Sequence, residues 1–399
     1  MLIAAFCLPA YCADWPQFRG LHRDGHSPET GLLKKWPEDG LKPLWTVEGL
    51  GRGYSSATVA RGKLYITGMS VDRDEGFLFA YDLKGGLLWK KSYGPDWNDS
   101  YPGSRACPTV DGDRLYLVSG VGKLFCFDAI SGDVRWTRDL AKEFGGQSPR
   151  CGFVESIFID SDRLICTPGG KEAAFAALDK NSGKTVWTSV GFGDMPAYCS
   201  PILVERGRRQ LVTLTARYLS GFDPKTGEVI WKQPFDTTAE DPNHSNSPVY
   251  QDGFIYITSG HGKGGRAYEL SADGKTTTEK WTDEVINTGH GGIIVDHGYL
   301  YSSNAKSHWA CLELKTGKVM YETEEVGMAS AICAEGLLYC YGEKGTLALA
   351  PVNPKALELV SRFKITAGDG PHWAHPVISD GRLYIRHGNV LMAFDIKAN

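Results

Sequence analysis

Asp128-Ala129-Ile130-Ser131-Gly132-Asp133-Val134-Arg135-Trp136 reads as a tight turn running into a strand: an acidic residue, a glycine four positions on, and a tryptophan four after that. The same spacing returns as Asp179, Gly183, Trp187 and as Asp223, Gly227, Trp231. Glu313, Gly317, Tyr321 keeps it with another ring, Gly85 and Trp89 follow Asp82 one residue closer, and Asp273, Gly274 and Trp281 form a looser copy. Upstream in each unit a turn leads into a short alternating strand ending in Tyr, as from Gly62 to Tyr65, Asp113 to Tyr116, Gly253 to Tyr256, Gly298 to Tyr301, Gly336 to Tyr339 and Gly381 to Tyr384. A unit recurring every roughly 40 to 50 residues is the signature of a repeat architecture.

Pairs such as Asp111-Gly112, Asp252-Gly253 and Asp380-Gly381 supply the positive φ that a two-residue hairpin needs, and the flanking residues alternate with period two. Each unit is therefore a β-meander, which cannot bury both faces alone. Stacking the meanders in a closed ring buries them and leaves no long exposed edge. Innermost strands start around Ser55, Ala106, Val154, Ser200, Ser247, Gly291, Ala329 and His375, which predicts an all-β, eight-bladed propeller of four-stranded antiparallel blades. The last unit ends at Phe394-Asp395-Ile396 without its outer Trp strand, while Lys42-Pro43-Leu44-Trp45 stands unmatched near the N-terminus. The two are expected to pair and close the ring, and the repeated Trp to pack between adjacent blades.

The organisation follows: 1–13 a shortened export signal, 14–41 an irregular extension, 42–399 one propeller. Met1 to Ala13 is apolar and ends in Ala10-Tyr11-Cys12-Ala13, without a good lipobox before Cys7 or Cys12. An extracytoplasmic protein, periplasmic or secreted, is expected, with no transmembrane span and as a monomer. The 48 Gly, 11 Trp, 18 Tyr and 16 Phe suit many short strands and tight turns. With a net charge of −4 and a basic cluster at Arg206, Arg208 and Arg209 that reads as one hairpin turn, nothing resembles a nucleic-acid footprint. Cys107, Cys126, Cys151, Cys166, Cys199, Cys311, Cys333 and Cys340 stand where other repeats carry Ala, Val or Ser and read as small buried hydrophobes; there is no Cys-x-x-Cys.

In a propeller the starts of the inner strands and the loops between second and third strands converge on one face of the channel. Those positions are Tyr54, Arg105, Glu155, Tyr198, Arg217, His244 and Asn246, then His261, His290, Asn304, His308, Glu343, His372, Trp373, His375, Arg386 and His387. Seven of the ten His fall among them, all in blades five to eight. Such a mouth suits a transition metal, an anionic organic cofactor or an acidic loop of a partner; alternatively its imidazoles only satisfy turn carbonyls. His372 and His375, three apart on an extended segment, are expected to point to different faces. Gly260-His261-Gly262-Lys263-Gly264-Gly265 satisfies G-x-G-x-x-G but joins two strands, where no helix N-terminus can receive a pyrophosphate.

The Asp-x-x-x-Gly-x-x-x-Trp spacing, the Gly-x-Leu-Tyr strands, the opening Trp15-Pro16-Gln17-Phe18-Arg19-Gly20 and the late Trp373-Ala374-His375-Pro376-Val377 resemble the pyrroloquinoline quinone (PQQ) repeat family of bacterial eight-bladed propellers. The resemblance covers Lys42 to the C-terminus. It implies either of two activities, because the repeat serves quinoprotein alcohol dehydrogenases and also non-catalytic scaffolds such as the lipoprotein of the outer-membrane β-barrel assembly machinery. The dehydrogenases hold the quinone and a Ca²⁺ or lanthanide over the channel and use a catalytic Asp; many add a vicinal Cys pair or a haem motif. This chain has no adjacent Cys pair and no Cys-x-x-Cys-His, and neither the catalytic Asp nor the metal-binding trio maps onto its motifs.

By chemical suitability, Glu155 is the candidate base; Glu155, Asn246, His372 and His375 are candidate metal ligands; and Arg105 or Arg217 suits a quinone carboxylate. The expectation placed first is a binding module that takes a small ligand or an envelope protein through a polar, His-rich funnel, with no cofactor required. The alternative is a small PQQ- and Ca²⁺-dependent alcohol dehydrogenase. A metal or carbohydrate binder using the His-rich sector stands third.

Overall fold

The computed structural model describes residues 13–171, 173–238, 244–260, 262–304 and 306–398. They form eight four-stranded antiparallel blades, spanning 58–95, 109–139, 158–188, 202–234, 249–283, 294–323, 329–364 and 377–395. One helix, Leu140–Phe144, appears among the described residues. The eighth blade takes its outer strand from the N-terminal side: Pro43–Val47 pairs antiparallel with Val390–Asp395, setting Trp45 opposite Ala393 and Val47 opposite Leu391. The ring is thus closed by main-chain hydrogen bonds between the two ends of the propeller, as the unmatched Trp45 strand predicts.

The repeat signature has a local and a lateral part. Locally, the Asp caps its own turn: Asp128 Oδ1 accepts from the amides of Ile130 and Ser131 at 2.8 and 2.9 Å, and Asp179 Oδ1 accepts from Ser182 at 2.7 Å. Laterally, the glycine after it takes φ of +73° at Gly132 and +70° at Gly183, and its bare Cα faces the ring of the preceding blade's tryptophan. Trp45 lies on Gly85, Trp89 on Gly132, Trp136 on Gly183, Trp187 on Gly227 and Trp281 on Gly317. Several indoles also donate to a carbonyl of that next turn, Trp45 to Leu83 at 2.9 Å and Trp281 to Leu314 at 3.0 Å. The glycine therefore serves twice, allowing the left-handed turn and making room for the ring. On its own blade the ring meets the signature Tyr, with centroids 6.1 Å apart for Tyr116 and Trp136 and 5.4 Å for Tyr256 and Trp281.

Most inner hairpins use the turn chemistry read from the sequence; at Asp111-Gly112 only the glycine takes positive φ, +61°, because Asp111 still belongs to the strand. At Arg61-Gly62, Asp252-Gly253, His297-Gly298, Glu335-Gly336 and Asp380-Gly381 both central residues have positive φ, the type I′ geometry whose twist matches the strands. Seven of the eight strand cysteines are buried, Cys151 is half-buried, and all eight are free. No helix among the described residues is long and apolar enough to cross a membrane.

The residues from Asp14 to Leu33, irregular by sequence, cross one end of the channel and touch the inner strands of seven blades. Trp15 exchanges hydrogen bonds with Val59, Pro16 O accepts from Val110 at 2.8 Å, and Gly25 O accepts from Cys333 at 2.8 Å. The buried Arg23 guanidinium donates to Ser156 O at 2.9 Å and Pro201 O at 3.2 Å, while Arg19 donates to Ile293 O. His26–Ser27 then adds a parallel strand to the seventh blade. Among the described residues the channel is therefore plugged at this end.

Candidate functional site

Above the plug, blades are laced by side chains capping the preceding blade's amides. Ser56 Oγ accepts from His375 N at 2.9 Å, Cys107 Sγ from Ser56 N at 3.2 Å, Ser200 Oγ from Ser156 N and Ser247 Oγ from Ser200 N, both at 3.0 Å. Phe18 of the plug reaches this layer, its ring edge-on to His375 at 4.9 Å. Burial, with Arg19 and His290 nearby, keeps the His375 imidazole well below its ordinary pKa and so neutral.

At the mouth, five of the residues predicted from sequence come together around Trp373. Its ring lies 5.1 Å from Tyr54 of the first blade, 5.1 Å from Tyr101 and 5.3 Å from His290. The indole N–H donates to Glu343 Oε1 at 2.7 Å, and the same oxygen is 2.8 Å from His290 Nε2. Arg105 lies over Tyr54 at 5.4 Å and donates to the carbonyls of Ser100, at 2.9 Å, and Gly103, at 3.2 Å. Elements far apart in sequence thus build one aromatic hub with a charged rim, half-open to solvent; Tyr101, at its edge, is 57% exposed. Tyr101 itself carries no sequence signature, and its φ of +52° sets it off the strand pattern.

The other predicted residues are placed elsewhere. Arg386 is buried at the seam between blades eight and one and donates to Ser55 Oγ and Thr67 O, both at 2.7 Å, and through Nε to Gly388 O at 2.9 Å. Through Nε and Nη1 it fastens the ring closure, while its buried Nη2 has no hydrogen-bond partner among the described residues. His244 is buried between Ser259 Oγ at 2.8 Å and Ala216 O at 2.9 Å, and burial lowers its pKa. His387 faces the carbonyls of Ala367 and Gly370, both at 2.7 Å. His372 stacks on it at 3.6 Å and meets Tyr341 Oη at 2.5 Å; burial, then the neighbouring His387 and Lys364, lowers His372 to about 4. His308 lies at the outer edge beside Glu324 at 3.2 Å and Glu322 at 3.7 Å, and Asn304 caps its own loop by accepting from Lys306 and His308. His261 lies outside the described residues. Of the predicted imidazoles that are described, His290 joins the hub, His372 and His387 stack on each other, and His244 and His308 have partners of their own.

Arg217 pairs with Asp194 at 2.8 Å, Tyr198 Oη accepts from Cys151 N at 2.9 Å, and Asn246 bridges blades by donating to Thr288 O at 2.8 Å and accepting from Gly292 N at 3.0 Å. Glu155 is buried, its two oxygens accepting from Thr167 N at 2.8 Å and Thr167 Oγ1 at 3.0 Å. Burial raises it to about 7, against the pull of those hydrogen bonds and of Arg23. Glu155, Asn246 and His372 thus have separate partners, while among the described residues the buried His375 Nδ1 has no hydrogen-bond partner and no three His, Cys, Asp or Glu side chains gather as a metal would require. Of the candidate ligands for a quinone with Ca²⁺, Glu155 and Asn246 are each hydrogen-bonded within the scaffold, and the indole at the mouth is flanked by the protein's own rings.

Comparison with known proteins bears on the fold and its branch. A family model described as outer membrane protein assembly factor BamB matches residues 74–323. The BamB of Shewanella oneidensis is 23% identical over 248 residues, 59% of this chain and 60% of that protein. A quinoprotein ethanol dehydrogenase of Pseudomonas aeruginosa is 26% identical over 257 residues, 54% of this chain but 39% of its own length. The chain therefore spans less than two thirds of either relative. Among solved structures, BamB from Moraxella catarrhalis superposes with a TM-score of 0.65 at 15% identity, covering 90% of this chain and 98% of that one. The quinohemoprotein alcohol dehydrogenase of Comamonas testosteroni gives 0.69 at 13% identity, covering 97% and 81%. At such identities the superpositions speak for the fold alone. With eight blades, five of their seams packed Trp on Gly, a ring closed by an N-terminal strand, and a family model matching more than half its length, the chain belongs to the PQQ-repeat β-propeller family whose model carries the BamB description.

Proposed function

We propose that this chain is an extracytoplasmic, non-catalytic binding propeller that takes an envelope protein at the open mouth of its channel. The observation carrying this reading is the hub at Trp373, where rings from Tyr54, Tyr101 and His290 and the charges of Glu343 and Arg105 form a partly exposed aromatic centre with a polar rim. Aromatic residues and Arg are the side chains that anchor protein interfaces. The plug closes the other end of the channel, and the relatives named as outer membrane assembly factors support a protein partner and an envelope location.

The test is cross-linking of the purified, tagged chain to envelope extract, with identification of the products and direct titration of the best candidate. Trp373→Ala and Tyr101→Ala should each weaken that binding by about 2 kcal/mol, some thirtyfold, as hot-spot truncations do. Unchanged affinity in both variants would refute the mouth as the interface.

A second reading, a small quinone-dependent alcohol dehydrogenase, is favoured by Glu155. A buried carboxyl raised to about 7 near a channel is poised as a base, and half the chain aligns with quinoprotein dehydrogenases.

A further inference from the structure

Three seams of the ring depart from the Trp-on-Gly contact: between blades seven and eight Phe363 packs on Gly40, and the other two seams each hold a notch. Between blades four and five the expected pair is Trp231 and Gly274. Instead Trp231 is buried and donates to Gln210 Oε1 at 2.6 Å, while Gln210 Nε2 donates to Gly274 O at 3.0 Å. Gly274 is covered by Arg206 O and Arg208 Cγ of a neighbouring hairpin rather than by an indole. The space left is about 460 Å³ and is lined by Arg208, Arg209, Lys225 and Lys275, with Asp223 and Asp273. Between blades six and seven the ring is Tyr321 and the following blade lacks the Asp-Gly turn. The notch there, about 490 Å³, carries Glu325, Glu358 and Arg362 beside Leu357, Leu359 and Val360. The altered packing accompanies each notch, but does not explain a lining of four cations on a chain of net charge −4.

The carboxylates of the first notch are already engaged. Asp223 accepts from Arg208 at 3.2 Å and from Lys225 N at 2.7 Å, and Asp273 accepts from Ser271 Oγ at 2.7 Å and Lys275 N at 3.1 Å. Arg209 turns to Glu205 at 3.2 Å and to Asp160. Among the described residues neither the Lys225 nor the Lys275 ammonium has a carboxylate partner. With both guanidiniums engaged by carboxylates, the Lys225 and Lys275 ammoniums are left as the donors facing a ligand-sized concavity, a lining that suits a phosphate group. We propose that the notch between blades four and five binds a phosphomonoester, whether on a soluble molecule or on a lipid headgroup.

The full chain is titrated calorimetrically with pyrophosphate, and sedimented with vesicles of phosphatidylcholine alone or with phosphatidic acid. The charge-reversed pair Lys225→Glu and Lys275→Glu is compared with Arg362→Glu at the other notch, each first checked for an unchanged Tm; Lys225→Gln with Lys275→Gln replaces the pair if it unfolds. Binding of pyrophosphate alone identifies a soluble ligand and binding of phosphatidic acid vesicles a headgroup; either supports the proposal if the lysine pair weakens it at least about tenfold while Arg362→Glu does not. Absence of binding to both probes, or equal weakening by Arg362→Glu, overturns it.

Discussion

Replacing Gly183 by Ala tests the lateral half of the repeat signature against its local half. At φ of +70° an alanine pays about 1–2 kcal/mol for the left-handed backbone. Its Cβ would also lie 2.8 Å from Trp136 Cε3, inside van der Waals contact, and overpacking of this kind costs a further 1–3 kcal/mol or so. Gly112→Ala supplies the control, because Gly112 has φ of +61° and nothing within 4 Å of the added methyl. Unfolding entropy of about 2.1 cal/mol/K per residue gives about 0.8 kcal/mol/K for 399 residues. Calorimetric Tm should therefore fall about 1–2 °C for Gly112→Ala and about 2–6 °C for Gly183→Ala. In a Trp136→Ala background the excess should vanish, since no ring remains to be displaced. Equal losses at the two glycines, or an excess that survives removal of Trp136, would refute the indole-on-glycine contact as the reason for the repeat.

Two further outcomes follow from buried groups. Arg386→Met leaves Ser55 O and Thr67 O without their donor, so at about 1–3 kcal/mol for each buried acceptor the loss should be roughly 2–6 kcal/mol. Hydrogen exchange of Pro43–Val47 and Val390–Asp395 should rise more than in blade four, and uniform exchange would contradict a role at the ring closure. For Glu155, the folded protein keeps a proton up to about pH 7 that the unfolded chain loses near 4.5. Stability therefore falls as pH rises from about 4.5 to about 7, by roughly 3 kcal/mol at about 1.4 kcal/mol per pH unit, and is level above. Glu155→Gln should remove that slope in denaturant titrations across pH; an unaltered slope would show that Glu155 ionises freely.

Blade number, hairpin turns and the closing strand were legible because each rests on local chemistry: an Asp capping its turn, a Gly at positive φ, a ring at fixed spacing. The mouth was half legible. Inner-strand starts located Tyr54, Arg105, His290 and Trp373, because fold geometry brings those positions to one face. Spacing could not tell which polar groups the scaffold already engages: His244 and His387 are held by carbonyls and a hydroxyl, His290 faces Glu343, and Arg386 donates into the ring closure, yet all read alike. The plug was not legible at all, since the partners of Arg19 and Arg23 lie 133 to 274 residues away and no periodicity announces them. The aligned Trp-Pro-Gln-Phe-Arg-Gly stretch was the available clue, with its arginine as the pointer to buried carbonyls.

The central claim is that the mouth is a protein-binding surface and not a quinone site. It is tested most directly by titrating the purified chain with pyrroloquinoline quinone, with and without Ca²⁺, following tryptophan fluorescence and dye-linked oxidation of simple alcohols. The account predicts no saturable, Ca²⁺-dependent quenching and no turnover, because Glu155 and Asn246 are engaged within the scaffold and Trp373 is flanked by its own neighbours. Tight, Ca²⁺-dependent binding with alcohol oxidation that Glu155→Gln abolishes would contradict it and establish the dehydrogenase reading.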